Sequence, residues 1–289
     1  MSIALVSVLA GIAGMVGWGL YDFLGGLYAK RIGPFRSLFW SQLAGLASAL
    51  ILAVVFAASP KVTSLAFLLL PIAAILYSAG YLFFFRGLEI GNISIVAATM
   101  NLWAVFTMLF AFIFLGQRLT TTQSLGVLLI LSGVTLASAN WGEVRHQGVR
   151  LSSGVKETVL GALFFGVFWN ISEVITETIG WVSATLLVKV GIALFLLLFS
   201  LLTRRQLAMQ HGNTGTKSMI VIMGVVEAGA VAAVNYGLGV GDAILITPIA
   251  SALSMVTITL AIVFLKERVT RVQGLGMIAA VAGIVITAF

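Results

Sequence analysis

Long apolar runs separated by very short polar ones dominate the chain. A helix needs about 20 apolar residues to cross a bilayer. On that ruler the sequence predicts ten spans, at residues 3–29, 34–58, 64–86, 92–115, 120–139, 155–178, 181–202, 218–238, 242–265 and 270–288. The runs are continuous and not alternating, which points to helices and excludes an outer-membrane barrel. The longest polar stretches run from Asn140 to Ser153 and from Thr203 to Thr216. With so little chain outside the spans, function is expected between the helices. Several helix ends are legible. Pro34 suits a first turn, Asn92 and Asp242 have the character of N-caps, and Thr120/Gln123 and Thr270/Gln273 form capping-box patterns. Pro71 and Pro248 fall inside spans and are expected to kink them.

Composition agrees with this pattern. The chain is 61% hydrophobic and 9% charged, against about 25% charged in soluble proteins, so a soluble surface could not be covered. It has no cysteine, and its two histidines, His146 and His211, lie in polar stretches. Disulfides, metal sites and cofactors are therefore not expected. The first apolar run lacks a basic leader and a cleavage pattern and is expected to stay as a span. The formal charge of +7 is read as topology and not as nucleic-acid binding. Thirteen Lys and Arg residues fall on one side of the ten-span arrangement, among them Lys30, Arg31, Arg86, Arg145, Arg204 and Lys266. Only Lys61 and Arg118 fall on the other. The positive-inside rule then places the first group in the cytoplasm and both termini outside; the membrane expected is the plasma (inner) membrane of a prokaryote.

The chain also repeats itself. Residues 85–139 align without a gap on 235–289 at an offset of 150, with Thr107, Arg118, Thr120, Gln123, Gly126 and Gly133 recurring as Thr257, Arg268, Thr270, Gln273, Gly276 and Gly283. Earlier in each half, Trp18 and Asp22 meet Trp169 and Glu173 at an offset of 151. Each half holds five spans, an odd number, so the second copy enters the membrane from the opposite side. The expected domains are 1–139 and 154–289, joined by a cytoplasmic linker at 140–153.

Phe114-Leu115-Gly116-Gln117-Arg118-Leu119-Thr120 and Phe264-Leu265-Lys266-Glu267-Arg268-Val269-Thr270, with Gly17-Trp18-Gly19 in the first span, resemble the drug/metabolite transporter superfamily, in its ten-span EamA-type branch. The first copy departs from the pattern in having Gln117 where glutamate is usual. The resemblance implies an all-α membrane protein, ten transmembrane helices as two inverted five-helix repeats around a central cavity lined by spans 1, 3, 4, 6, 8 and 9. It implies a transporter of small organic solutes and not an enzyme.

A carboxylate inside a span costs about 2.5–3.5 kcal/mol on insertion scales, so it is expected to face a cavity or a partner. Asp22 and Glu173 each follow a tryptophan by one turn, Trp18 and Trp169, and a ring face beside a carboxylate suits an organic cation or an ammonium group. Carboxyls held in a low-dielectric slab also exchange protons at accessible pH, which makes Asp22 and Glu173 the proton-coupling candidates. Glu177 lies near the end of its span and is expected at the interface. Glu227 is expected either in the cavity or paired with Lys189. Tyr77 and Tyr81 share a helix face, and Trp103, Asn101 and Asn170 are polar or amphipathic groups between helices. The expected cavity residues are thus Trp18, Asp22, Tyr77, Tyr81, Trp103, Trp169, Asn170, Glu173 and Glu227. The glycine stripes at Gly126/Gly133 and Gly276/Gly283 suit close packing, within one chain or in a homodimer.

The expected function is secondary transport of amino acids, amines or drug-like metabolites by alternating access, proton-coupled or, as an alternative, as an uncoupled facilitator or exporter. Its expected partners are a small-molecule substrate and the bilayer. Gly239-Val240-Gly241-Asp242 together with Tyr21-Asp22 imitates the motifs of an intramembrane aspartyl protease, a third reading. Helix capping by Asp242 and the opposite depths of the two acids oppose it.

Overall fold

The computed structural model describes residues 3–56, 62–90, 99–138, 154–209, 213–266 and 270–287. The Asn92 cap, both histidines and the whole 140–153 linker lie outside these ranges.

The described residues are helical throughout their main elements. These are α1 (Ile3–Ile32), α2 (Pro34–Val55), α3 (Ser64–Ile90), α4 (Leu102–Phe114), α5 (Thr121–Ser138), α6 (Val155–Ile179), α7 (Trp181–Thr203), α8 (Thr214–Leu238), α9 (Ala243–Ser251), α10 (Leu253–Leu265) and α11 (Arg271–Thr287). Seven stretches are long and apolar enough to cross a membrane, the seventh being α9 and α10 taken together. The helices α4, α5 and α11 are apolar but shorter.

Both capping boxes form. The Thr120 and Gln123 side chains exchange hydrogen bonds with each other's backbone N–H, and Thr270 and Gln273 do the same. Pro71 is accommodated within the continuous α3. Pro248 lies just before a break, where Ala252 separates α9 from α10. A turn at Asn101 similarly precedes α4.

The repeat is visible in the backbone. Gly33 and Gly180 join α1 to α2 and α6 to α7 with nearly the same dihedrals, φ 90° and ψ 148° against φ 82° and ψ 151°. Positive φ makes glycine the natural residue at both joints. Gly116 (φ 68°) and its repeat mate Lys266 (φ 58°) share the left-handed conformation that ends α4 and α10.

Packing relates the halves by an approximate two-fold axis. Gly126 lies against Gly283, and Gly133 against Gly276, so exchanging the repeats exchanges the two contacts. These pairings run in opposite senses along α5 and α11, which makes the repeat-equivalent helices antiparallel. The glycine faces therefore meet each other within one chain. In the same way α1 packs antiparallel on α8, with Gly14 on Val234 and Gly17 on Ala230, while their mates α6 and α3 meet through Gly161 and Gly80. The core gathers where α1, α3, α4, α6 and α8 converge.

Candidate functional site

At this convergence three tryptophans touch. The Trp18 ring lies 5.1 Å from Trp169 and 6.2 Å from Trp103, and Trp103 lies 6.3 Å from Trp169. Trp18 and Trp169 are repeat mates, so this cluster straddles the two-fold axis. It forms one wall of a cavity holding about 500 Å³ of empty space, part of it open to solvent. From α1 the cavity receives Trp18 and Asp22, and from α3 Tyr77, Tyr81 and Phe84. The start of α4 and the turn before it add Met100, Asn101 and Trp103, α6 adds Phe165 and Trp169, and α10 adds Leu253. Asn101 and Leu253 sit at the two helix breaks, so both interruptions occur at the level of the cavity. Asp22 is half-buried and is the one carboxylate among the described lining residues; it has no hydrogen-bond partner among them. The Trp18 indole N–H is buried without a partner among the described residues.

Six of the nine residues expected in the cavity are there: Trp18, Asp22, Tyr77, Tyr81, Trp103 and Trp169. Three others stand elsewhere. Asn170 is buried between α4 and α6, where its side-chain amide donates to the carbonyl oxygens of Thr107 at 3.1 Å and Gly166 at 2.8 Å.

Glu173 parts from Trp169 despite the one-turn spacing. It is 2% exposed, and its Oε1 accepts from the Gln117 side-chain amide at 2.7 Å and from the Ala243 N–H at 3.3 Å. Gln117 Oε1 in turn accepts from the Ile244 N–H at 3.0 Å. Glu173 and Gln117 thus take up the first two N–H groups of α9, which helix geometry leaves unpaired. Asp242 occupies the N-cap position but makes no capping bond, because its role has passed to side chains from α6 and the α4–α5 loop. Glu173 Oε2 has no partner among the described residues. This latch closes the bundle on the α1 N-terminal side of the tryptophans. Beyond it is a second cavity lined by Ser7, Arg118, Gln123 and Asp242.

Glu227 is 0% exposed and forms an ion pair with Lys189, itself 1% exposed. The Tyr77 hydroxyl donates to Glu227 Oε1, and Lys189 Nζ donates to Glu227 Oε2 and, at 2.7 Å, to Gln42 Oε1. The ion-pair alternative for Glu227 therefore holds, and the cavity alternative does not. Gln42 escaped the sequence reading. Its signal was a lone amide in an apolar span at the same spacing from Lys189, 147 residues, that separates Gly33 from Gly180. Phe165 was equally legible as the residue one turn before Trp169.

The protease reading fails on distance. Asp242 shares its cavity with Ser7, and Asp22 lies fifteen residues further along the continuous α1, about 22 Å at 1.5 Å per residue. Two acids so far apart cannot share a water.

Comparison with known proteins agrees with the architecture. A solved crystal structure superposes with a TM-score of 0.78 over 97% of this chain and 94% of its own, at 16% sequence identity, which speaks for the fold alone. No curated protein matches the chain. A family model described as the EamA-like transporter family matches twice, over residues 5–139 and 152–289. Two matches that together span nearly the whole sequence, on a bundle whose halves are two-fold related around one cavity, mean that the chain belongs to the EamA-like transporter family, within the drug/metabolite transporter superfamily, and is an integral multi-pass membrane protein.

Proposed function

We propose that this chain is a secondary transporter of small organic solutes working by alternating access across ten spans, with both termini outside and the Asp22 cavity facing the cytoplasm. The observation that carries this reading is the one-sided closure of the bundle. The Glu173–Gln117 latch and the tryptophan cluster stand between the Asp22 cavity and the second cavity at Ser7. Inverted repeats reach the opposite state when each half adopts the other's conformation. The latch would then release and Asp22, the repeat mate of Glu173, would be enclosed in its turn.

Proton coupling is part of the proposal. Glu173 is buried with one oxygen unpaired and has no cation partner among the described residues, an arrangement that a bound proton completes. Alternating protonation of Glu173 and Asp22 would then link closure at each end to the proton gradient.

The test is flux in liposomes. An imposed pH gradient should drive solute accumulation by the native protein, and Asp22→Asn and Glu173→Gln should each abolish that drive while solute exchange persists. Accumulation equal to the native protein's in both variants would leave only an uncoupled facilitator.

A further inference from the structure

We infer that the Asp22 cavity recognises a monovalent organic cation bearing an aromatic or alkyl body and no carboxylate, an amine and not an amino acid. The inference rests on the cavity being the solute site, and it narrows the class of solute.

The charge inventory carries it. Asp22 is the single charged side chain among the described lining residues, and no Lys, Arg or His is among them. The nearest deeply buried cation, Lys189, does not line the cavity. It lies 5.5 Å from the centre of the Tyr77 ring and gives its hydrogen bonds to Glu227 and Gln42. An amino acid could set its ammonium against Asp22, but its carboxylate would then face aromatic rings. The π faces of those rings are negative and repel an anion. An ammonium meets the opposite situation. Trp18 is one helical turn from Asp22, and Tyr81, Phe165 and Trp169 complete the wall, so carboxylate and ring faces attract the same charge.

A second observation points to a bound molecule. The Trp18 indole N–H is buried and has no partner among the described residues, an arrangement a ligand acceptor would relieve. A hydroxyl or carbonyl would serve. A carboxylate would also reach this donor but would remain an unpaired charge.

Three probes that share a phenyl ring and differ in charge test the idea: phenethylamine (cation), phenylalanine (zwitterion) and 3-phenylpropanoate (anion). Binding is read on the purified full chain by tryptophan fluorescence and thermal shift. Phenethylamine should bind at least tenfold more tightly than phenylalanine, and 3-phenylpropanoate should give no saturable signal. Asp22→Asn should weaken phenethylamine at least tenfold, and Asp22→Glu should restore most of the loss. The native comparison requires no variant, so a poorly folded Asp22→Asn does not spoil the test. Phenylalanine binding as tightly as phenethylamine, no saturable phenethylamine signal, or full phenethylamine affinity in a folded Asp22→Asn, would overturn the inference. Flux separates it from the transport reading. Phenethylamine that binds but never crosses liposomes sinks transport alone, whereas phenylalanine that crosses and outcompetes phenethylamine sinks the solute class alone.

Discussion

Tyr77 and Glu227 stand 150 residues apart, occupy equivalent positions in the two repeats, and are hydrogen-bonded to each other. Gln42 and Lys189, equivalent at a spacing of 147, are bonded to each other as well. Four residues from four helices thus meet near the two-fold axis as two pairs of repeat mates. One half supplies a neutral amide and phenol, and the other an ammonium and a carboxylate. Breaking a buried pair by removing one partner strands a charge, at about 3–5 kcal/mol. Glu227→Gln and Lys189→Met are therefore each expected to lower stability by that order. The Lys189→Met/Glu227→Gln double variant should lose much less than the sum, because no charge is left unpaired. Melting of the purified protein with a double-mutant cycle measures this.

The latch separates two roles of Glu173. A glutamine there can still accept from Gln117 and from the Ala243 N–H, so Glu173→Gln is expected to keep the bundle closed at that end. Gln117→Leu removes both the donor to Glu173 and the acceptor for Ile244. Thiol labelling of a cysteine at Phe168, behind the latch at 0% exposure, should rise several-fold with Gln117→Leu and stay near the background level with Glu173→Gln.

Topology can be read directly because the chain has no cysteine of its own. A cysteine placed at Thr121 should react with an impermeant maleimide on intact cells. One at Thr214 should react only after permeabilisation. The reverse pattern would invert the assignment of both cavities.

The α5–α11 contact leaves no space for side chains. A Cβ at Gly133 would lie 2.5 Å from the Ala280 nitrogen and 2.6 Å from the Gly276 oxygen, both backbone atoms. Overpacking of a tight core costs about 1–3 kcal/mol, and Gly133→Ala is expected at the upper end of that range. Gly229 in α8 has nothing within 4 Å of its Cβ position. Gly229→Ala should be neutral or stabilising by up to about 1 kcal/mol through helix propensity. Comparative melting of the two variants checks the pair.

Much of this was legible in the residues. Apolar runs set the helices, and the matching Arg118/Arg268 and Thr120/Thr270 revealed the repeat. The Trp18–Asp22 spacing found one wall of the cavity. The same rule misplaced Glu173, because spacing fixes a helix face but not what meets that face. Gln117 and the start of α9 come from distant parts of the chain, and only packing brings them there. Asn170 failed for a related reason: a polar group among helices needs a partner, and here two backbone carbonyls suffice. Gln117 stood out only as a departure from its family's pattern, and the latch gives that departure a structural setting.

The quartet near the axis also bears on why the two halves share one polypeptide. A dimer of identical five-helix units must present the same residue from both sides of its axis. Built on the second half, it would bury two ammonium groups and two carboxylates where this chain buries one of each. Built on the first, it would hold two amides and two phenols with no charge at all. Covalent fusion lifts that constraint and lets a single ion pair sit between non-identical mates, at half the desolvation cost. Splitting the chain after Ser138 and co-expressing the pieces should therefore favour the mixed pair over the second half paired with itself.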